Sequence, residues 1–195
     1  MSIFQLIMLL VSAYFAYQMY KHIQGIDENV EPAFMQESEP VEVEPTIDEL
    51  IAEADKAYMD DRFDIAQERL EAIIEQFPDS AEAMNKLAFV LAKQDKNEEA
   101  ETHYLASLKI DPSDDMTHNA LAKLYADMGK NIQAQEHYKK AVEIDKDYEL
   151  TWFNYGALMD ALGQKEEARE MYEKALKIDP SYEPALEAMT KLNNT

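Results

Sequence analysis

The histidines and the many carboxylates are the residues of this chain best suited to metal or acid–base chemistry. His103 and His137 lie 34 residues apart and could lie near each other on one surface. A protein zinc site needs at least a third ligand beside two histidines, for which Glu101 and Glu136 are candidates. Carboxylates occur throughout the chain, however, so their presence near a histidine carries little information. We predict no metal site and interpret the two histidines as solvated surface residues.

Catalytic patterns are likewise missing from the sequence. The pairs Glu98–Glu99 and Glu166–Glu167 fall at helix positions that we expect to be exposed, where nothing raises the carboxyl pKa toward the range of a general acid. The sequence contains no Gly-rich phosphate loop, no HExxH motif and no recognisable nucleophile context. We interpret His118 as a packed core or groove residue. We predict no catalytic residue, no cofactor and no enzyme activity.

The composition narrows the possible partners. Forty acidic residues face 18 basic ones, which gives a net charge of −22. Nucleic acid is not an expected partner, because phosphate binding needs clustered Lys and Arg. The absence of cysteine excludes disulfides, Cys-type zinc sites and thiol catalysis. Few glycines and abundant Ala, Leu, Glu and Lys favour an all-α protein.

The first segment, residues 1–22, predicts a transmembrane anchor. Residues 3–20 contain no charged side chain, and their helix would reach roughly 27 Å at about 1.5 Å per residue. Tyr14, Tyr17 and Tyr20 suit a membrane interface. A cleaved secretory signal and a helix buried in the core or lying in the interface are the alternatives. Lys21 and His22 follow the apolar run, which favours a single-pass protein with its C-terminal part in the cytoplasm.

The second segment, residues 23–46, predicts an extended acidic linker. It carries seven acidic residues, and Pro32, Pro40 and Pro45 interrupt any helix. A docking role for this acidic stretch is the alternative.

The rest of the chain repeats every 34 residues without a gap, in rows 47–80, 81–114, 115–148 and 149–182. Each row predicts two amphipathic helices, because apolar residues recur at three- and four-residue spacing. Small residues occupy positions 8 and 20 of the rows, where two helices could approach closely, and a large residue fills position 24. These columns read Ala54, Ala88, Ala122, Gly156; Ala66, Ala100, Ala134, Ala168; and Leu70, Tyr104, Tyr138, Tyr172.

Position 15 of each row predicts the end of the first helix. Gly129 and Gly163 stand there in the last two rows and can close the helix in a left-handed conformation. Asp61 and Asp95 stand there in the first two rows and tolerate that conformation less well. Proline at position 32 of three rows ends the second helix.

This pattern resembles the tetratricopeptide repeat family, whose unit is a 34-residue helical hairpin. The fourth row carries the fullest signature, which comprises Trp152, Gly156, Ala168, Tyr172, Ala175 and Pro180. The resemblance implies a superhelical solenoid of four hairpins. It also implies that residues 183–195 form a capping helix with Leu186, Met189 and Leu192 on one face.

The resemblance further implies a concave groove lined by the first helix of each row. At the family's groove positions this chain has, among others, Asn85, Phe89, Met116, Asn119, Lys123, Leu150 and Phe153. Asparagine amides can hold a peptide backbone, and the phenylalanines could seat an apolar side chain. The family's carboxylate clamp for chaperone tails does not map, because Met116 and Ala120 stand at two of its positions.

Two functions are compatible with these features. The first is a membrane-tethered scaffold that binds a protein partner, an extended peptide or a helix, in the groove, with residues 3–20 in the membrane. The alternative is a structural array that self-associates into a lattice at the membrane.

Overall fold

A computed structural model describes residues 3–25 and 45–193 of the chain, and within them every regular element is a helix. Helix α1 spans Ile3–Gly25 and belongs to a first compact unit; the remaining helices belong to a second unit, Pro45–Thr195. The second unit contains α2 (Ile47–Met59), α3 (Phe63–Gln76), α4 (Ala81–Lys93), α5 (Asn97–Ile110), α6 (Asp115–Asp127), α7 (Asn131–Ile144), α8 (Glu149–Ala161), α9 (Lys165–Ile178) and α10 (Glu183–Asn193).

Helix α1 continues past residue 22, the predicted end of the anchor. The predicted transmembrane span is not supported, since no helix in the described ranges combines the length and the mean hydropathy that a membrane crossing requires. The hydroxyls of Tyr14, Tyr17 and Tyr20 and the amide of Gln18 lower the hydropathy of its second half. Most of the predicted acidic linker, residues 26–44, lies outside the described residues.

The second unit is a stack of four helical hairpins followed by α10. The first helices α2, α4, α6 and α8 begin at residues 47, 81, 115 and 149, which are the first residues of the four predicted rows. Side-chain caps fix three of these starts. Thr46 forms a capping box with Glu49, and Ser80 and Asp114 accept hydrogen bonds from the backbone N–H groups of Ala83 and Thr117.

Small residues lie where the helices of a hairpin approach each other most closely. Alanines of positions 8 and 20, such as Ala88 and Ala134, are completely buried. At Gly156 an added Cβ would lie 2.7 Å from Cδ1 and Cε1 of Tyr172. Tyr104, Tyr138 and Tyr172 of position 24 belong to the same buried cluster as these alanines. The hairpins thus share one continuous core, as a stack of units that cannot bury their apolar faces alone requires.

The turn inside each hairpin uses a left-handed residue at position 15. Gly129 and Gly163 adopt φ of 72° and 76°, and Asp61 and Asp95 adopt φ of 56° and 60°. The two aspartates therefore take the same conformation as the glycines, although an L side chain disfavours it. The hairpin geometry, which is the same in all four rows, overrides the local preference of the aspartate.

The segment LKIDPS, which occurs at residues 108–113 and again at residues 176–181, ends the second helix of the second and fourth hairpins. Asp111 Oδ1 accepts hydrogen bonds from the backbone N–H and the hydroxyl of Ser113 at 2.9 and 2.7 Å. Asp179 and Ser181 repeat this turn at 2.8 and 2.7 Å. The repeated segment therefore encodes the turn that leads from a hairpin to the helix that follows it.

Helix α10 packs against the last hairpin. It buries Ala185 and Leu192 there, and Met189 is partly buried. Leu186 was expected on the same face but is 44% exposed. Ala185, the preceding residue, is completely buried in its place.

Candidate functional site

A groove of about 410 Å³ runs across the first helices of the hairpins. The C-terminal half of α2, the middle of α4, the start of α6 and the start of α8 contribute its walls. It is lined by Ala54, Asp55, Tyr58, Met59, Leu70, Asn85, Lys86, Phe89, Val90, Met116, Asn119, Ala120, Tyr148 and Leu150. The first helix of each hairpin thus supplies lining residues. Two further residues lie outside these helices: Leu70 belongs to α3, and Tyr148 directly precedes α8.

Apolar side chains that remain exposed mark both sides of the groove. Met59 is 79% exposed, Phe89 41% and Met116 61%. The Phe89 ring packs against Tyr58 with a centroid distance of 5.3 Å, and Tyr58 packs against Phe63 at 5.5 Å. Rigid aromatic rings therefore form one wall, while the flexible thioethers of the methionines can adapt to an apolar ligand.

Two asparagines lie in the groove and are held by neighbouring repeats. Asn85 donates its amide to Thr117 Oγ1, and Asn119 Oδ1 accepts a hydrogen bond of 3.1 Å from Asn154 Nδ2. Within the described residues, Asn85 Oδ1 and Asn119 Nδ2 have no hydrogen-bond partner. The pair therefore offers one acceptor and one donor, which is the complement of a peptide group.

The charged groups of the groove are paired with each other. Lys86 Nζ lies 2.9 and 2.8 Å from the two carboxylate oxygens of Asp55 and 3.7 Å from Glu82. In an adjoining hollow of about 350 Å³, Lys123 pairs with Asp127 at 2.8 Å. Lys93 Nζ also borders that hollow and lies 5.5 Å from the centroid of the Phe89 ring.

The structure distributes the seven predicted groove residues over three places. Lys123 lines the adjoining hollow rather than the groove itself. Phe153 packs against Tyr172 and Tyr182 with centroid distances of 5.8 and 5.6 Å, at the last hairpin. The other five line the groove: Asn85, Phe89, Met116, Asn119 and Leu150.

Nine of the fourteen lining residues are not among the seven predicted groove residues, and Tyr58, Lys86 and Tyr148 are three of these nine. Tyr58 occupies row position 12, which the family resemblance includes among its groove positions, so a signal for it was present. Lys86 and Tyr148 occupy positions outside that set. Tyr148 lies in the turn before α8, and no helical periodicity points to it.

The histidine pair of the structure is His118 with His137, not His103 with His137. Their Nδ1 atoms lie 2.9 Å apart, and His118 Nε2 lies 3.2 Å from the carbonyl oxygen of Pro112. A carbonyl can only accept, so His118 donates from Nε2 and accepts at Nδ1 from His137. Burial is the main cause that lowers the pKa of both rings, to about 4 for His137. No cluster of three metal-ligating side chains occurs among the residues that the structure covers.

Comparison with known proteins identifies the repeat. A profile of the tetratricopeptide repeat matches residues 79–147 and again residues 113–181. A search of curated protein sequences found no match to the chain.

Solved structures of the same fold include a crystal structure of MamA, with a TM-score of 0.63 and 19% identity over 71% of this chain and 76% of that one. The first TPR of Spaghetti (RPAP3), bound to the HSP90 peptide SRMEEVD, gives a TM-score of 0.56 and 25% identity over 58% of this chain and 90% of that one. The Arabidopsis OM64 TPR domain gives a TM-score of 0.57 and 21% identity over 59% of this chain and 95% of that one.

Proposed function

Because the chain belongs to the tetratricopeptide repeat family, we propose that it is a protein–protein interaction scaffold that holds a segment of a partner in the groove of its first helices. Such repeats generally mediate protein interactions, and one structure of the same fold was solved with a peptide bound. The role proposed for this chain is binding and not catalysis.

The observation that carries the proposal is the set of exposed apolar side chains in one concavity. Met59, Phe89 and Met116 leave a large part of their surface in water around a groove of about 410 Å³. Concave sites with apolar walls and a few polar groups are typical of ligand-binding surfaces. The unpartnered amide atoms of Asn85 and Asn119 add the groups that fix a peptide backbone.

A pull-down with the full chain tests the groove. Phe89→Ala combined with Met116→Ala should reduce recovery of partner proteins at least about tenfold, because interface hot spots typically cost 2 kcal/mol or more when truncated. Leu105→Ala combined with Ile132→Ala is the matched control, since these side chains are 45% and 74% exposed on second helices. Partners lost with the control pair and retained with the groove pair would overturn the proposal.

We further propose that α1 attaches the scaffold to a membrane, with the repeats on the cytoplasmic side. The described side chains of α1 include eight large apolar residues that are at least 45% exposed, and no acidic residue lies in its first turn. Deleting residues 1–22 should move the protein from the membrane fraction to the supernatant. A truncated chain that still sediments with membranes, or a full chain that does not, would overturn the tether without affecting the groove.

Self-association at the membrane is the alternative role. The acidic surface disfavours it, because a net charge of −22 repels a second copy. Light scattering on the full chain in detergent should give one mass at all concentrations, whereas a mass that rises with concentration would favour the lattice.

A further inference from the structure

We propose that the segment held in the groove carries a large apolar side chain with basic residues on one side of it, the side that faces the start of α8. This inference rests on the proposed function and names the chemistry of the partner. The exposed apolar side chains account for the apolar anchor of the ligand, and the charges around the groove account for the sign and the position of its flank.

The floor of the groove does not select a charged anchor. Lys86 is the cation that lines it, and the Asp55 carboxylate already neutralises that charge at 2.8 Å. A charged side chain placed there would compete with this ion pair and would lose its hydration. The walls near the pair are formed by Tyr58, Phe89 and Met116, which favour an apolar group of the size of Leu or Phe.

The rim of the groove next to Tyr148 is acidic. Tyr148 and Met116 line the groove, and Glu149 and Asp115 adjoin them in sequence, in the first turns of α8 and α6. Burial and then the charges of Glu149 and Asp115 raise the pKa of Tyr148. The pKa of Asp115 is also raised, by burial and by the like charge of Asp145. Within the described ranges no lysine, arginine or histidine forms an ion pair with Asp115, Asp145 or Glu149. A cation on the ligand would relieve this repulsion.

The adjoining hollow, which Phe89 also lines, has no excess of negative charge. Two lysines and two aspartates line it, namely Lys93, Lys123, Asp95 and Asp127, and Lys123 pairs with Asp127. A basic flank directed into this hollow would gain little, whereas the same flank directed toward Tyr148 would meet carboxylates that no cation pairs with. The net charge of −22 adds a long-range attraction for a basic ligand. These charges together set both the sign of the flank and its direction.

Synthetic peptides test the inference. The probe is a fluorescein-labelled, amidated peptide with a Leu-Phe anchor in a Gly/Ser background and two lysines on one side. Versions with the lysines before and after the anchor cover both chain directions. The controls replace the lysines by glutamates, replace Leu-Phe by Ala-Ala, or use the acidic peptide SRMEEVD. Fluorescence anisotropy with the full chain gives the Kd of each peptide.

One lysine version should bind at least about tenfold tighter than its glutamate and Ala-Ala counterparts and than SRMEEVD. Phe89→Ala with Met116→Ala should abolish this binding. Asp115→Asn with Glu149→Gln should remove the preference for lysine over glutamate but keep the preference for Leu-Phe over Ala-Ala. The matched control, Glu98→Gln with Glu99→Gln in the first turn of α5, should leave both preferences unchanged.

The outcomes separate the inference from the proposed function. Equal or tighter binding of a glutamate peptide or of SRMEEVD that is still lost in the Phe89 and Met116 variant overturns the inference and leaves the groove intact. Binding that this variant does not change overturns both. Absence of binding by all the peptides overturns the inference. A concentration-dependent dimer that the Phe89 and Met116 variant abolishes would assign the groove to a second copy and overturn it as well.

Discussion

Gly156→Ala should destabilise the protein although alanine is the better helix former. Alanine gains about 1 kcal/mol over glycine inside a helix. The new Cβ, however, would lie 2.7 Å from two ring carbons of Tyr172 and 3.2 Å from Cβ of Met171. The Tyr172 ring cannot move aside freely, because it is buried and packs against Phe153. Overpacking typically costs about 1–3 kcal/mol, so we expect a net loss of about 1 kcal/mol.

Thermal unfolding followed by circular dichroism measures this loss. A change of 1 kcal/mol should lower the Tm by about 2–4 °C in a chain of this size. Ala122→Gly is the matched comparison, since Ala122 occupies the same row position and is completely buried. It should also lower the Tm, for the opposite reason, because glycine loses both helix propensity and a buried methyl group.

A double-mutant cycle identifies Tyr172 as the cause. The close approach belongs to the fourth hairpin, because alanine and tyrosine coexist at these positions in the second and third, as Ala88 with Tyr104 and Ala122 with Tyr138. The atoms that the new Cβ at position 156 would meet at 2.7 Å are those of the Tyr172 ring. The cost of Gly156→Ala should therefore shrink by about 1 kcal/mol in the background of Tyr172→Leu, within the range of coupling energies measured for residues in contact. A Tm that rises with Gly156→Ala, or a cost that is the same in both backgrounds, would refute the close-approach argument.

Three further predictions follow from the fold. Ala134→Leu should lower the free energy of unfolding by about 1–3 kcal/mol, because Ala134 is completely buried between helices. Its control, Glu166→Leu, changes a side chain that is 88% exposed and should alter the free energy of unfolding by less than about 0.5 kcal/mol. Equal denaturation midpoints of the two variants would contradict the row register. Asp95→Gly should raise the unfolding free energy by about 1 kcal/mol in urea titrations, because it relieves a left-handed backbone at φ 60°; a loss would show that the aspartate side chain stabilises the turn. The pKa values of the buried His118 and His137 lie below that of an exposed histidine, at about 4 for His137. The unfolded chain therefore binds more protons, and the free energy of unfolding should fall as the pH is lowered from 6.5 toward 4. His137→Gln should make this fall smaller, and an unchanged pH profile would contradict the buried neutral pair.

The hairpin stack was predictable because its constraints are local and repeated. Positions 8, 20 and 24 of the rows recur at a fixed spacing, and Ala88, Ala134 and Tyr138 lie buried as that spacing predicts. The turn aspartates were harder, because the hairpin imposes a conformation that Asp61 and Asp95 do not prefer. The membrane anchor was inferred from the absence of charge, and the tyrosines of α1 weaken that inference.

The groove was predictable in part. Row position indicates the face of a first helix, and five of the seven predicted residues line the groove. It does not indicate which neighbours a side chain meets. Phe153 packs against Tyr172 of α9 and against Tyr182, which lies in the turn before α10. His118 and His137 come together only through the packing of α6 on α7. Such contacts depend on the stacked hairpins and not on the period.

Photocrosslinking from within the groove tests the central claim most directly. Benzoylphenylalanine placed at Met116, which is 61% exposed in the groove, is compared in cells with the same group at Ile132, which is 74% exposed on a second helix. We predict a discrete protein crosslink from position 116 that disappears with Phe89→Ala, and none from position 132. Crosslinks from position 132 alone, or crosslinks from position 116 that Phe89→Ala leaves unchanged, would contradict it.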